Sequence, residues 1–485
     1  MKTDSPQCGS GWRYGYVDAA ECAPRRNPRE PRARRPEPSV QPARGSTKSG
    51  VALVAVITSI VILTVFVAEL IENAATDLHV ATAERDRVKA EYLAKSGINL
   101  TRLLIAQEPQ IRAVVAPFYQ MLTGRAPPQL NVWDFGDTLL APFADYKTAK
   151  EGNDGSGINF NLMGGLHETG GTFEVITVPE NAKININSPL FLSGTEASKS
   201  IAMQLFALLG GNQSPDSPYD PMFSQRDADG QFTTRLDIVS DVIDWWDYDE
   251  QRTVFDPGSK AIASGGSEDD VYSTFRDPYV VKNQPLDSLE ELRMIRGIGD
   301  DFWATFVEPN PDDPRDRKVT IYGSGIVNVN LAPPDVLLSR LCSFVTDQPL
   351  CNNPAQQVSF ITLFNTVRSV LPLALFSTPK DFVDFITGGG GGGARDLYTA
   401  LTAFLGPESP LMMWTPMQIP ADQRKQIEGR FLTEASILTI QSIGRVGKAQ
   451  AKISVVVNFD KPWVPPPGVP GSLPALGVLH HYRVQ

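Results

Sequence analysis

The longest apolar stretch of the chain predicts a long N-terminal helix. Residues 51–68 contain no charged residue, no Gly and no Pro, and neither Gly nor Pro follows before Gly97. Eighteen residues in a helix reach about 27 Å, which is close to the thickness of the hydrocarbon core of a bilayer. We therefore expect one helix of about 45 residues, apolar in its first half and amphipathic in its second. The apolar positions of its second half recur at helical spacing at Ile71, Ala74, Leu78, Ala81, Val88 and Tyr92.

The segment that precedes this helix is basic. Residues 1–50 carry ten Lys and Arg against five Asp and Glu. A basic segment before an apolar run is typical of the cytoplasmic side of a membrane helix. Secretory signal sequences usually have a shorter apolar region, of about 7–15 residues, that ends at a cleavage site of small residues. The pattern therefore favours a membrane anchor with a helical stalk, and a cleaved secretory signal is the alternative.

The rest of the chain is acidic and shows no catalytic motif. The formal net charge is −11 over 485 residues, although the first 50 residues are basic. An acidic surface is unfavourable for binding nucleic acid or an anionic membrane. No G-x-S-x-G, H-E-x-x-H or C-x-x-C sequence occurs, and none of the four His residues stands near a nucleophile motif. The sequence therefore predicts a protein that is not an enzyme.

Two related segments frame the body of the chain. The segments "KININSPLFLSG" (Lys183–Gly194) and "GIVNVNLAPPDVLLSRL" (Gly325–Leu341) each contain an Asn-x-Asn strand followed by a turn. Apolar residues that alternate with Asn are typical of a strand with one buried face. A further strand is predicted at Gly171–Val178, and a β-hairpin at Ile437–Phe459. Because the residues between the two Asn-x-Asn segments are mostly helical in pattern, we expect a β-framework that is split by a helical insertion.

Two acidic segments lie inside the predicted insertion. "RLDIVSDVIDWWDYDEQ" (Arg235–Gln251) predicts a helix that ends in several carboxylates, and "GGSEDDVY" (Gly265–Tyr272) adds three more after a Gly pair. Acidic residues at a helix C-terminus interact unfavourably with the helix dipole, by roughly a few tenths of a kcal/mol each. Oxygen ligands from two short segments suit Ca²⁺, which takes about 6–8 of them. The alternative is a solvated acidic loop.

A third motif resembles a helix-hairpin-helix. "LDSLEELRMIRGIGDDFWATF" (Leu286–Phe306) predicts a Ser-capped helix, a Gly-Ile-Gly hairpin and a second helix. In DNA-binding versions of this motif the hairpin amides face a phosphate. Here Asp300 and Asp301 directly follow Gly299, and two carboxylates at this place disfavour nucleic acid. A compact helix-packing module is therefore the favoured interpretation.

Taken in this order, the motifs resemble the type II secretion system protein K family, a large minor pseudopilin also called general secretion pathway protein K. The junction Lys48-Ser49-Gly50 before the apolar helix is similar to the prepilin-peptidase site of type IV pilin-like proteins. The fifth residue after that junction, usually Glu in pilin-like proteins, is the apolar Ala55. The other motifs that carry the resemblance are "KININ", "DVIDWWDYDE" followed by "GSEDDVY", "SLEELRMIRGIG" and "IVNVNLAPPDVL".

The resemblance implies an α+β, pilin-like fold. In such a fold a long N-terminal transmembrane and stalk helix packs on a small antiparallel sheet, and a helical SAM-like or helix-hairpin-helix domain is inserted. The expected segments are a removed basic leader, a transmembrane helix, a stalk helix with the first strands, the inserted domain, the continued pilin-like domain and a Pro-rich tail, at residues 1–50, 51–70, 71–188, 189–320, 321–460 and 461–485 respectively.

The resemblance also implies a function and a location. We expect a minor pseudopilin that caps the tip of the pseudopilus and helps to initiate its assembly for protein export across the outer membrane. The implied partners are minor pseudopilins I and J, the pseudopilus, prepilin peptidase and the inner membrane, with no nucleic acid. A single membrane pass would leave most of the chain in the periplasm. The alternative is a membrane-anchored helix-hairpin-helix module that binds DNA or polysaccharide.

Three sets of site residues follow from this interpretation. Cleavage is expected between Gly50 and Val51. Cys342 and Cys351 fall on the periplasmic side, where a disulfide is permitted, and are nine positions apart; two free thiols are the alternative. Calcium is the expected cofactor, and its candidate ligands are Asp244, Asp247, Asp249, Glu268 and Asp269.

Overall fold

The computed structural model describes most of the chain downstream of the leader. The described residues are 49–136, 170–187, 194–226, 230–275, 277–311, 313–370, 374–389, 397–406, 409–460 and 476–484. The predicted leader up to Lys48, with Cys8 and Cys22, lies outside them, as does the Pro-rich stretch 461–475. The chain divides into two compact units, Met1–Ala74 and Ala75–Gln485.

The predicted N-terminal helix is present and is longer than expected. Helix α1 runs over Ser49–Thr123 and contains Pro109 and Pro117. Within the described residues, it is long and apolar enough to cross a membrane. The sequence pattern predicted that the helix would end before Gly97, because Gly weakens a helix. Gly97 instead lies against the sheet, where an added Cβ would stand 2.5 Å from Ser442 Oγ.

A four-stranded antiparallel sheet packs against the second half of α1. Its strands are β1 (Thr172–Pro179), β8 (Ile437–Val446), β9 (Ala449–Asn458) and β10 (Val478–Val484), in the order β1-β8-β9-β10. The predicted strand and hairpin are therefore confirmed, as is the packing of a long helix on a small antiparallel sheet. The buried residues that α1 and the sheet contribute to this contact include Ala94, Ile98, Leu438, Ile440, Ile453 and Val455.

The fourth strand corrects the prediction of a Pro-rich tail over residues 461–485. Val478–Val484 pairs with β9 and completes the sheet. The Arg102 side chain of α1 donates hydrogen bonds to the carbonyl oxygens of Leu476 (2.9 Å) and Gly477 (3.1 Å), just before the strand. Val478, Tyr482 and Val484 of "VLHHYRV" are residue types that favour strands, although the segment does not alternate regularly. The sequence analysis missed this strand because the stretch before it is rich in Pro.

The two Asn-x-Asn segments form equivalent structures. Strand β2 (Ile184–Asn185) pairs in parallel with β5 (Val319–Thr320), and β6 (Val327–Asn328) pairs in parallel with β7 (Phe431–Leu432). In both segments the first Asn accepts a hydrogen bond from the backbone N–H of the second, at 2.9 Å and 2.8 Å. The second Asn then binds a distant backbone segment through both its amide and its carbonyl group. The sequence repeat therefore encodes a repeated Asx-type connection.

The helical part of the chain extends beyond the predicted insertion. Helix α2 (Thr195–Leu208) and helix α3 (Arg235–Trp246) lie inside residues 189–320, together with the hairpin of β3 (Gln251–Asp256) and β4 (Ala261–Ser267). The following short helix is α4 (Asp300–Phe302). The remaining α-helices are α5 (Pro334–Cys342), α6 (Pro349–Asn352), α7 (Pro354–Val370), α8 (Pro379–Ile386), α9 (Leu397–Leu405) and α10 (Ala421–Glu428).

These later helices share one hydrophobic core with the insertion. We expected residues 321–460 to continue the sheet-bearing domain, but buried residues of α5, α7 and α8 cluster with those of α2 and α3. Ser339 Oγ of α5 also donates a hydrogen bond to the carbonyl oxygen of Gln204 in α2. The difference arises because aromatic residues of α7, of α8 and of the loop between them pack on one another, as Phe364, Phe385 and Phe376 do.

Candidate metal centre

Helix α3 directs a carboxylate into the interior of the insertion. The helix begins at a capping box, in which Thr234 and Asp237 each accept a hydrogen bond from the backbone N–H of the other. Its last turn carries Asp244, whose Oδ1 accepts a hydrogen bond from the backbone N–H of Thr253 in β3 at 2.8 Å. Helix end and hairpin are thereby fixed relative to each other, and the second oxygen of Asp244 points away from this bond.

Three carboxylates meet at this place. Oxygen atoms of Asp244, Asp247 and Glu268 all lie within 4.8 Å of one another. Asp247 is the first residue after α3, and Glu268 is the first after β4. Asp244 is 1% exposed and Glu268 is 2% exposed, so water does not screen their charges. The two segments that the sequence singled out as acidic are therefore brought together by the helix end and the hairpin.

The electrostatics of this cluster are unfavourable for three full negative charges. Burial raises the pKa of Asp244 to about 6, and burial with the charges of Asp244 and Asp249 raises the pKa of Asp247 to about 7. Burial and the neighbouring carboxylates raise the pKa of Glu268 to about 8. The cluster must therefore hold protons near neutral pH unless a cation balances its charge.

The oxygen atoms of this cluster fit a hard cation. Buried oxygens without a hydrogen-bond partner cost free energy, of roughly 1–3 kcal/mol each, and carboxylate and amide oxygens are the ligands that Ca²⁺ prefers. In this cluster, such oxygen atoms come from the end of α3, from the residue after β4 and from a loop. Among the described residues, the buried and unpartnered oxygens of this region are Asp244 Oδ2, Asp247 Oδ1, Glu268 Oε1, Glu268 Oε2 and Asn283 Oδ1.

Asn283 is the member of the cluster that the sequence analysis missed. It lies beside Glu268, and its Nδ2 donates a hydrogen bond to the carbonyl oxygen of Asp249 at 2.7 Å. Its backbone has a φ of 48°, in the left-handed region that Asn tolerates better than most residues. The amide oxygen of Asn283 is buried and has no hydrogen-bond partner among the described residues. A lone Asn in a loop gives no sequence signal for this position.

Two of the five predicted ligands have other hydrogen-bond partners. Asp249 Oδ1 accepts a hydrogen bond from the backbone N–H of Gln251 at 2.9 Å. The negative charge of Asp249 contributes to the cluster by raising the pKa of Asp247. Asp269 Oδ1 accepts one from the backbone N–H of Val281 at 3.1 Å and so anchors the loop that leads to Asn283. Neither residue is grouped with Asp244, Asp247 and Glu268.

The helix-hairpin-helix motif is more compact than the sequence predicted. Ser288 forms the predicted cap, but the first helix is a 3₁₀-helix over Leu289–Met294, and the second is α4 continued by a π-helix over Trp303–Val307. Gly297 has a φ of +83°, and a Cβ there would stand 2.5 Å from Thr233 Cγ2. The hairpin is therefore packed against the start of α3, as expected of a helix-packing module.

The other two sets of predicted residues are also described. Gly50 and Val51 lie in the first turns of α1 and are exposed. Cys342 at the end of α5 and Cys351 in α6 form a disulfide, with their Cα atoms 5.5 Å apart. The bridge ties two short helices of the core at a point where both cysteines are buried.

Comparison with known proteins finds a family match over part of the chain and a similar solved structure. Residues 182–306 match the model of the family described as Type II secretion system (T2SS), protein K. Among solved structures, a chain of the GspK-GspI-GspJ complex from the type 2 secretion system of enterotoxigenic Escherichia coli is similar, with 14% identity, 65% of this chain and 80% of that chain covered, and a TM-score of 0.34. No curated protein matches. The matched segment 182–306 contains Asp244, Asp247, Glu268 and Asn283.

Proposed function

We propose that the chain belongs to the type II secretion system protein K family and that it is a minor pseudopilin with a structural role. The observation that carries this proposal is the family match over residues 182–306, which coincides with the helical insertion and its carboxylate cluster. The long apolar helix α1 supports a single-pass anchor in the inner membrane. The sheet and the insertion then lie on the periplasmic side.

The proposed partners are minor pseudopilins I and J. The similar solved chain belongs to the GspK-GspI-GspJ complex. The test is to co-express this chain with the I and J proteins of its own system and to isolate it from detergent-solubilised membranes. Co-purification of both proteins in stoichiometric amounts is expected. A chain that purifies alone, while I and J purify together, would contradict the proposed partnership.

Calcium is the proposed cofactor, with a structural role. Asp244, Asp247 and Glu268 would hold it, and Asn283 would add a neutral oxygen. Bound there, the cation would balance the carboxylate charges. It would also link the end of α3, the end of β4 and the loop before Leu286. This chain's own residues already position those three segments by hydrogen bonds from Thr253, Val281 and Asn283.

Proteolytic processing at the start of α1 is part of the proposal. The peptide bond between Gly50 and Val51 would be cut by a prepilin peptidase, with N-methylation of Val51. An added Cβ at Gly50 would meet no atom within 4 Å, so no side chain of the described residues from Ser49 onward crowds this bond. After the cut, α1 would begin with the apolar run and stay on the mature protein.

Processing is tested by the intact mass and the N-terminal sequence of the membrane-extracted protein. We expect the mature chain to start at Val51, and we expect Gly50→Val to block the cut because a β-branched side chain then occupies the residue before the bond. A mature chain that retains Lys48, or one that starts near Ala75, would contradict this prediction.

A further inference from the structure

Arg340 in helix α5 is a buried cation, two of whose nitrogen atoms make no hydrogen bond within the described residues. Its side chain is 1% exposed, and its Nε and Nη1 atoms have no partner among the described residues. No ion pair links it to a carboxylate of the described chain. Burial lowers the pKa of Arg340 to about 9, which leaves the group charged at neutral pH. Burying a charge is unfavourable unless it is paired and hydrogen-bonded.

A second buried arginine shows how the same fold satisfies such a group. Arg368 in α7 also stacks on a phenyl ring, with its Cζ atom 5.5 Å from the centre of the Phe364 ring. Its Nη1 and Nη2 atoms donate hydrogen bonds to the carbonyl oxygens of Ala332 (2.7 Å) and Val329 (3.0 Å). Arg340 has the ring contact without the carbonyl contacts. Arg368 Nε also lacks a partner among the described residues, but Arg368 has two hydrogen bonds to carbonyl oxygens, whereas Arg340 Nε and Nη1 have none.

A second positive charge lies close to Arg340. The Cζ atoms of Arg340 and Arg430 are each 5.0 Å from the centre of the Phe344 ring. After burial itself, the charge of Arg430 is the cause that lowers the pKa of Arg340. Arg430 is half-buried and forms no ion pair within the described part of the chain. Two guanidinium groups that share one ring repel each other, and nothing acidic in the described residues offsets this.

We propose that Arg340, Arg430 and Phe344 form a binding site for one compact anion. The ligand would carry a single centre of negative charge, as chloride, phosphate or a carboxylate group does, and would reach Arg340 from the side of half-buried Arg430. It would accept the hydrogen bonds that Arg340 Nε and Nη1 do not make within the chain. The site lies at the end of α5, in the core shared by α2 and α5, and is separate from the carboxylate cluster.

The test measures thermal unfolding of the full-length chain in detergent. Sodium chloride, sodium phosphate or sodium acetate is titrated while bulky sodium isethionate keeps the ionic strength constant. An anion that binds only the folded state raises the melting temperature, by roughly 5 °C at about 100 times its dissociation constant. We expect a saturable rise in wild type with at least one of the three salts. The salt that acts identifies the ligand as a halide, an oxyanion or a carboxylate.

Two variants and a control connect the response to this site. Arg340→Met keeps an unbranched side chain of similar length, and we expect it to abolish the rise. Arg430→Gln should require a higher anion concentration for half of the rise. Arg445→Gln, whose wild-type residue is exposed and paired with Glu174, should respond as wild type does. If Arg340→Met does not fold, the anion concentration that Arg430→Gln needs for half of the rise tests the proposal instead. Absence of a response in wild type, or an equal response in all variants, would overturn the proposal.

Discussion

At the scale of single residues, the carboxylate cluster explains why acidic residues are placed where the helix dipole disfavours them. Asp244 and Asp247 stand at the negative end of α3. Their pKa values, and that of Glu268, lie above the usual range for carboxyl groups. The folded protein thus binds protons that the unfolded chain releases at the same pH. The free energy of unfolding must therefore depend on pH, and a cation bound to these carboxylates must change that dependence.

We predict that, without divalent cations, the free energy of unfolding falls as pH rises from about 4 to about 8. The unfolded carboxyl groups release their protons near pH 4, whereas in the folded state the last of the three, Glu268, releases its proton at about 8. Between these values the folded state binds more protons, so deprotonation favours unfolding. The measurement is urea unfolding at a series of pH values after treatment with EDTA.

Calcium should remove this loss of stability above about pH 6, because it replaces the protons. A matched pair of variants assigns the effect to the cluster. Glu268→Gln should weaken the stabilisation by Ca²⁺, whereas Asp270→Asn, at an exposed carboxylate two residues away, should leave it unchanged. A wild-type melting temperature that is the same in excess Ca²⁺ and in EGTA would contradict the prediction.

The sequence predicted part of this cluster for a physical reason. Asp244, Asp247 and Glu268 could be found because they lie in short, dense acidic segments at a helix end and after a turn. Asp249 stands in the same segment, but its side chain binds the backbone two residues on, which is a local preference that sequence spacing does not reveal. Asn283 could not be found because its position depends on a positive φ and on a loop far along the chain.

At the scale of elements, glycines set the distance between α1 and the sheet. A Cβ added to Gly444 of β8 would stand 2.0 Å from the carbonyl oxygen of Ala90 and 2.9 Å from the backbone nitrogen of Ala94. The strand therefore touches the helix backbone directly at this point. A side chain there would have to push the two elements apart, along with the buried residues on either side.

We predict that Gly444→Ala destabilises the protein by about 2 kcal/mol or more, because a close-packed contact cannot absorb an added methyl group without a backbone shift. The control is Gly429→Ala at the end of α10. There φ is −67°, and the nearest atoms to an added Cβ are at 3.6 Å, so the change should stay within about 0.5 kcal/mol. The measurement is the free energy of unfolding of both variants in urea and mild detergent. Equal stability of the two would contradict the prediction.

The disulfide between α5 and α6 gives a second prediction at this scale. We expect the mature protein to contain no free thiol, because Cys342 and Cys351 are joined and Cys8 and Cys22 leave with the leader. Thiol counting under denaturing, non-reducing conditions measures this directly. Two reactive thiols per mature chain would mean that the bridge does not form in the native compartment.

The sequence missed two kinds of element, for two different physical reasons. Strand β1 and the hairpin β8–β9 were predictable because alternation repeats over many residues. Strand β10 is short, largely exposed and preceded by Pro-rich sequence, so local pattern gave it little weight. The compact 3₁₀ and π segments around Gly297 result from tertiary packing on α3, which overrides helix propensity.

At the scale of the whole molecule, the proposed position in the filament is the tip of the pseudopilus. Ala55 cannot neutralise the terminal amine of a neighbouring subunit, as a Glu at that place would. A subunit without this contact can stand where no subunit lies ahead of it. The helical core, which runs from the insertion into α5 to α10, is also large for a repeating subunit of a slender filament.

We therefore predict that this chain is found at one end of each pseudopilus. Immunogold labelling of sheared pseudopili, with antibodies against residues 194–307, measures its location. Gold particles confined to one end are expected, at about one chain per filament. Labelling at regular intervals along the shaft would exclude the tip position, whereas antibodies against the major subunit serve as the control for shaft labelling.

Paired strands of the four-stranded sheet lie far apart in the sequence, which has a consequence for folding during synthesis. Strand β1 is synthesised before its partner β8, which follows more than 250 residues later in the chain. Contacts so distant in sequence slow folding, and chains emerge from the N-terminus first. The face of α1 that packs on the sheet therefore stays uncovered until β8 and β9 have been synthesised. A chain that lacks these two strands would keep α1 but leave this apolar face exposed, which would make it a substrate for proteases that recognise unfolded segments.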